Sequence, residues 1–278
     1  MAQDQFPNGL PFAKMHGLGN DFVVIDARET AVAMTTALAR ALGDRNRGVG
    51  FDQLAVIEPG KDSDIALRFW NADGSSAAAC GNATRCIAWA EMARSGRREL
   101  IIRTDHGLLQ AVVDRDGDVS VNMGRPGLDW TEIPLSEPVD TLNLPIDGNP
   151  VATSMGNPHM TFFVDDADAV DLTTLGRELE RHPLYPQRTN VQFAHVVGPE
   201  HLRMRVWERG AGITLASGSS SCAVVVAAAR RGLTGRKVRL TLDGGDIKID
   251  WRDDGVWMTG PSAHVFDGVL TPAFLAAL

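Results

Sequence analysis

The sequence predicts an α+β protein of two similarly built domains, and three observations carry that reading. Strand-like segments, a turn of small residues, a helix and a meander of strands follow in that order once in each half. The two turns align on one another, Cys80-Gly81-Asn82 against Ser217-Gly218-Ser219, and each helix behind them ends in arginine within two residues of a glycine. Between the halves, residues 126–150 hold five prolines and little periodicity, the mark of a linker or crossover.

The elements can be justified in chain order. The first clear strand is the apolar run FVVI at 22–25, closed by Asp26. Residues 31–42 have the Ala- and Leu-rich composition of a helix ended near Gly43. Strands are expected at 54–58 and 65–70, then a helix at 84–94 with Gly96 just past its end, a frequent C-terminal stop. Three short strands follow at 100–104, 108–113 and 119–123. After the crossover the order recurs. Strands are expected at 160–164, 191–197 and 202–207, with a helix at 170–180. The SGSSSC turn leads into a helix at 220–231, and strands at 237–242, 246–251 and 256–260 complete the half. Thr-Pro opens a short helix at 271–278.

Composition narrows the function classes. The 278 residues are 44% hydrophobic and 22% charged, ordinary for a soluble globular chain. A net charge of −8 argues against a nucleic-acid partner, whose binders carry a basic stripe. No run approaches the roughly eighteen apolar residues of a membrane helix, and the N-terminal stretch has no secretory n- and h-regions. Three cysteines suit a reducing cytoplasm better than a disulfide framework. Cys80, Cys86 and a histidine lack zinc-site spacing, so no metal is expected. No P-loop or dinucleotide fingerprint appears, so no organic cofactor is expected either.

The two turns carry the chemistry. A helix N-terminus presents unpaired N–H groups and partial positive charge, which suits a carboxylate. A cysteine placed there has its thiolate favoured. If the two domains face each other across a cleft, both turns line it, and a small carboxylic acid can be gripped beside a thiolate. Either turn alone could equally be a plain helix cap; two matched turns in matched halves favour a site.

Several blocks then share one resemblance: MHGLGNDFVVID at 15–26, FDQ at 51–53, FWNADGS at 69–75, ACGNATRC at 79–86, GNPH at 156–159, TNVQF at 189–193 and WERGAG at 207–212. In this order they resemble the diaminopimelate epimerase family, cofactor-independent enzymes that invert one α-carbon of diaminopimelate. The resemblance implies two domains, 1–126 plus 268–278 and 127–267, each a mostly antiparallel sheet or barrel wrapped around a central helix. It also implies a small amino-acid substrate and a homodimer. It puts Cys80 on one of two catalytic thiols, with His159 helping it ionise. Asn20, Asn71, Asn157, Asn190 and Arg209 fall on substrate-holding positions, and Gln53 on a pocket position. Glu208 falls on a carboxylate that contacts substrate and supports the second thiol. Gly81, Asn82, Gly218 and Ser219 fall on the turns that hold the α-carboxylate.

One position departs. The second thiol of the family corresponds to Ser217 here, in ASG rather than ACG, while Ile213 and SSSC stand where GAGET and TGAC are common. A serine hydroxyl is a poor base unless a neighbour takes its proton, and Glu208 is the neighbour the sequence offers. Cys222 lies five positions on, more than one helical turn below the tip. The expected function is LL-to-meso diaminopimelate epimerisation, a step of lysine biosynthesis. The alternatives are a one-thiol racemase, a dehydratase, or a non-catalytic amino-acid-binding homologue.

Overall fold

The computed structural model describes residues 6–114 and 116–278. The chain divides into two units, Met1–Val119 with Pro261–Leu278, and Ser120–Gly260. Both divisions fall earlier than the boundaries expected after 126 and 267, and strand pairing explains why. The strand Val119–Asn122 pairs with Gly255–Gly260, drawing residues from 120 onward into the second unit. The strand Ala263–Leu270 pairs antiparallel with Leu10–Gly17, drawing the chain from Pro261 into the first.

The first unit runs β1 (Leu10–Gly17), β2 (Asn20–Asp26), α1 (Thr36–Gly43), β3 (Gln53–Pro59), β4 (Ile65–Asn71), β5 (Ser76–Ala77), α2 (Gly81–Ser95), β6 (Glu99–Thr104) and β7 (Gly107–Val113), with β17 (Ala263–Leu270) and α5 (Pro272–Ala276) returning to it. The second runs β8 (Val119–Asn122), β9 (Val151–Ser154), β10 (Pro158–Phe163), α3 (Leu172–Leu179), β11 (Asn190–Gly198), β12 (His201–Glu208), β13 (Gly212–Ile213), α4 (Gly218–Arg230), β14 (Lys237–Leu242), β15 (Gly245–Arg252) and β16 (Gly255–Gly260). The repeat expected from the turns extends to the pairing itself. In the first unit β1–β2 is antiparallel, β2–β3 parallel, β3–β4 and β4–β5 antiparallel, β4–β6 parallel and β6–β7 antiparallel. In the second, β9–β10, β10–β11, β11–β12, β12–β13, β12–β14 and β14–β15 repeat those senses one for one.

Each unit is built around one helix. Helix α4 contacts β9 to β12 and β14 to β16. All of its first eleven residues except Ser219 are buried, with Val224, Val225 and Val226 fully so. A helix that is apolar on all sides belongs inside a fold, and each such valine contributes on the order of 1.5–3 kcal/mol by leaving water. Small residues dominate here because strands approach from nearly every direction. Helix α2 packs on β1, β2, β6 and β7 and stops at Gly96, whose φ of 73° places it in the left-handed region while its N–H closes onto Met92 O. The fold is therefore mostly sheet in two similar units, each with a central helix.

Five strands escaped the sequence reading, two of them, β5 and β13, only two residues long. Strand β1 mixes Lys, His, Pro and Gly among its apolar residues, β9 is only four residues long, and β17 carries Asp267 and Gly268 with most of its side chains exposed. None has the clean alternation by which strands are recognised. The segment 126–150 is irregular, apart from an isolated bridge between Gly127 and Ser154, but it is not the expected linker or crossover: it lies inside the second unit, where Ile133, Leu135 and Leu144 join the core. Among the described residues no helix is long and apolar enough to cross a membrane, and no group of three or more His, Cys, Asp or Glu side chains is placed to hold a metal ion.

Candidate active site

The residues singled out in the first unit gather at one end of its strands. Asn20 opens β2, Gln53 opens β3 and Asn71 closes β4. Because β2 and β3 run parallel while β4 runs against them, these positions share an end, and Gln53 lies directly opposite Asn71. Gln53 Nε2 donates to Asn71 Oδ1 at 3.4 Å, and Asn71 Nδ2 donates to Ser75 Oγ at 3.0 Å.

Cys80 is the N-cap of α2, extended at φ −142° and ψ 104°, and its sulfur accepts the Ala83 N–H at 3.4 Å. Gly81 and Asn82 are the first two residues of that helix, where N–H groups have no intrahelical partner. The Asn82 side chain, almost fully buried, donates to Asn20 Oδ1 at 3.2 Å and accepts from Arg85 Nη1 at 2.9 Å. Asn20 Nδ2 in turn donates to Asp52 Oδ2 at 2.9 Å. Asn20 and Asn82 are thus tied into the scaffold that fixes the cysteine turn. Cys86, inside α2, is fully buried, and burial pushes its thiol up.

The second unit repeats the placement. Asn157 immediately precedes β10, Asn190 opens β11, Glu208 closes β12 and Ser217 caps α4. Asn190 is buried, donating to Pro158 O at 3.0 Å and accepting the Arg209 N–H at 3.0 Å. Its side chain therefore fixes two backbone segments. Arg209 is exposed, with Nη1 on Gln187 O at 3.0 Å. Cys222 is fully buried as the fifth residue of α4.

At the cap the two units differ. Ser217 has nearly the backbone angles of Cys80, φ −137° and ψ 119°, yet makes no side-chain capping bond to its helix. Its hydroxyl instead donates to Glu208 Oε2 at 2.7 Å and lies 3.0 Å from Ser220 Oγ. Thr214 Oγ1 donates to the other carboxylate oxygen, Oε1, at 2.6 Å.

His159 is fully buried. Its Nδ1 lies 3.0 Å from Gln192 Nε2 and its Nε2 lies 2.9 Å from Asn157 Oδ1. An amide nitrogen only donates, so Nδ1 accepts and the ring proton sits on Nε2, directed at Asn157. Burial, and secondarily the positive charge of Arg209, push the imidazole down to about 3. His159 is a neutral ring with both nitrogens engaged inside its own unit. Asn157 Nδ2 reaches Ser219 Oγ at 3.5 Å, joining the histidine to the turn.

Three participants were not picked out from sequence: Gln192, Ser220 and Thr214. Gln192 stands two residues after Asn190 on β11, hence on the same face. Ser220 is three residues past the cap, the position that commonly answers a capping side chain. Those spacings were the available signals.

The diaminopimelate epimerase family model matches residues 12–128 and 151–265. A diaminopimelate epimerase from Rhodospirillum centenum is 55% identical over 271 residues, covering 95% of this chain and 93% of that protein. This chain belongs to the diaminopimelate epimerase family. It is accordingly an isomerase. The diaminopimelate epimerase of Acidiphilium cryptum is 51% identical, covering 96% of this chain and 98% of its own. Among solved structures, a hydroxyproline epimerase from Agrobacterium vitis is similar in fold, with a TM-score of 0.70 at 16% identity, covering 96% of this chain and 93% of that one.

Proposed function

We propose that this chain interconverts LL- and meso-diaminopimelate, a reaction of lysine biosynthesis, with Cys80 and Ser217 serving opposite faces of the α-carbon. The observation that carries the reading is the Ser217 Oγ to Glu208 Oε2 hydrogen bond of 2.7 Å, set at the same position in its unit that Cys80 occupies in the other. Relatives about half identical in sequence and named for this reaction support the substrate.

The proton steps balance within the chain. With Ser217 as base, its hydroxyl proton passes to the Glu208 carboxylate as its oxygen takes the substrate α-proton. The C–H electron pair stays on the α-carbon, and the Cys80 thiol delivers a proton to the other face, becoming a thiolate. The enzyme is then left with a protonated Glu208 and an ionised Cys80, the form that runs the reverse reaction; exchange with water restores the first form. The N–H groups at Gly81, Asn82, Gly218 and Ser219 hold the α-carboxylate, and Gln53, Asn71, Asn157 and Arg209 serve the rest of the substrate. Asn190 acts mainly by fixing backbone, and Asn20 and Asn82 by linking Asp52 to Arg85 beside the cysteine turn. His159, neutral and with its ring nitrogens spent on Gln192 and Asn157, holds Asn157 beside the serine turn rather than ionising Cys80.

The test is to incubate the protein with LL-diaminopimelate and resolve the stereoisomers. Appearance of the meso form supports the reading. Loss of the α-hydrogen without any meso product points instead to a one-thiol reaction, and no change at all points to a binding homologue.

The proposal includes a cytoplasmic homodimer. Val265 and Val269 of β17 are 54% and 57% exposed, an apolar surface suited to a second copy. A sedimentation mass of one chain would remove the dimer.

A further inference from the structure

We propose that Thr214 is a positioning residue: its hydroxyl grips one oxygen of the Glu208 carboxylate, leaves the other facing Ser217, and keeps the carboxylate ionised until Ser217 releases its proton. This rests on the epimerase reading above and deepens it. Both hydroxyl contacts run toward the carboxylate. Thr214 Oγ1 donates to Glu208 Oε1 at 2.6 Å, and Ser217 Oγ donates to Glu208 Oε2 at 2.7 Å. An ionised carboxylate accepts at both oxygens, so the two hydroxyls divide it between them without competing.

The backbone keeps this donor within reach. Glu208 ends β12 and pairs with Gly212 of β13, and the Ala211 N–H closes onto Glu208 O at 3.1 Å. Thr214 follows β13 directly. Ile213 and Leu215 on either side of it are exposed, whereas Thr214 is partly buried and turned to Glu208. The hairpin is also anchored from outside. Glu180, buried at the end of α3, receives the Trp207 indole N–H at 2.8 Å and the Gly210 N–H at 3.2 Å. Asn190 receives the Arg209 N–H at 3.0 Å. With the residues around Glu208 tied down, its remaining freedom is side-chain rotation, and the Thr214 bond restricts it.

The consequence is chemical. A hydrogen bond donated to a carboxylate favours its charged form, and a charge-assisted bond is stronger than a neutral one. Because Oε1 is occupied, the proton leaving Ser217 arrives at Oε2, and Thr214 keeps its own hydrogen throughout. The serine turn thus has a proton acceptor that is both aimed and held empty.

The test compares Thr214→Val, which keeps the branched shape without a donor, with Thr214→Ser, which keeps the donor. In the protein without substrate, the Glu208 carboxyl is titrated by carbon-13 NMR, its signal identified as the one missing from Glu208→Gln. The midpoint should rise by about one pH unit in Thr214→Val and stay nearly in place in Thr214→Ser. The acid limb of kcat/KM for epimerisation should move up with it, since that limb belongs to the free enzyme. Below the limb Thr214→Val should therefore be slower by about tenfold, and equally so from LL- and meso-diaminopimelate, whose equilibrium constant is fixed. A merely structural role would lower the rate and leave midpoint and limb where they were; that result, or no change at all, overturns the proposal. A midpoint that moves without the limb, or a limb that moves as far in Thr214→Ser, overturns it too. If the midpoint shifts but the unaltered protein turns over neither isomer, the epimerase reading fails, and the part of Thr214 in the reaction falls with it.

Discussion

Ser217 gives its hydroxyl hydrogen to Glu208 across 2.7 Å, and its oxygen accepts no capping N–H from the helix it precedes. Cys80, at the matching position of the other unit, instead has its sulfur turned to its own helix, accepting the Ala83 N–H at 3.4 Å. Two caps of equal backbone shape are thus wired differently. One oxygen has a carboxylate to take its proton, and one sulfur has a helix N-terminus to bear its charge, which suits the intrinsic acidity of each group.

Replacing Glu208 by Gln keeps the side-chain shape but removes the proton acceptor. Turnover should fall by about 10²–10⁴-fold, the usual worth of a positioned base, with an unchanged circular dichroism spectrum. Steady-state kcat values for the two proteins check it; equal values would separate Glu208 from the proton path.

Ser217→Cys should raise the epimerisation rate at least about tenfold, since a thiol ionises without a carboxylate's help. Initial rates from both isomers measure this. An unchanged rate would mean that the Glu208-linked serine already matches a thiol.

Cys80→Ala should abolish turnover while costing no more than about 1 kcal/mol of stability, the scale of one lost N-cap contact. Urea denaturation and the isomer assay together distinguish these two effects. Appreciable residual turnover would take Cys80 out of the mechanism.

His159 supplies a pH prediction. Its imidazole is pushed down to about 3, whereas in the unfolded chain it titrates near 6.5. Between those values the unfolded state binds the extra proton, so His159 stabilises the fold fully above about pH 6.5 and progressively less as pH falls toward 3, with a slope of up to about 1.4 kcal/mol per pH unit. His159→Asn keeps an oxygen that can accept from Gln192 and should flatten this limb. Denaturation midpoints from pH 7 to 4.5 give the comparison; parallel curves would contradict a buried neutral ring.

The parts of the fold legible in sequence were those with strong local signals. The helices behind the two turns were expected at 84–94 and 220–231 and run Gly81–Ser95 and Gly218–Arg230. Their N-termini reach farther back because the small residues after each cap are already helical. Cys222 was expected inside its helix and lies there. Strand senses were not legible: nothing local in TNVQF announces that His159 pairs in parallel with Asn190. At the site, residue types were readable but their partners were not. Asn190 reads as a ligand, yet its amide is spent on Pro158 O and the Arg209 N–H. Ser220 reads as helix filler, yet it stands between Gln192 and Ser217. A linear sequence names donors and acceptors; only the fold says which of them meet.

The claim on which the rest depends is that sulfur and oxygen act on one carbon from opposite sides, and isotope placement at the earliest stage of reaction tests it most directly. LL-diaminopimelate in heavy water, sampled at a few per cent conversion, should yield meso product deuterated at the inverted carbon while the unreacted LL pool keeps its α-hydrogen. Deuterium entering the unreacted LL pool ahead of any meso product would contradict it, because one group would then be both removing and returning the proton on a single face.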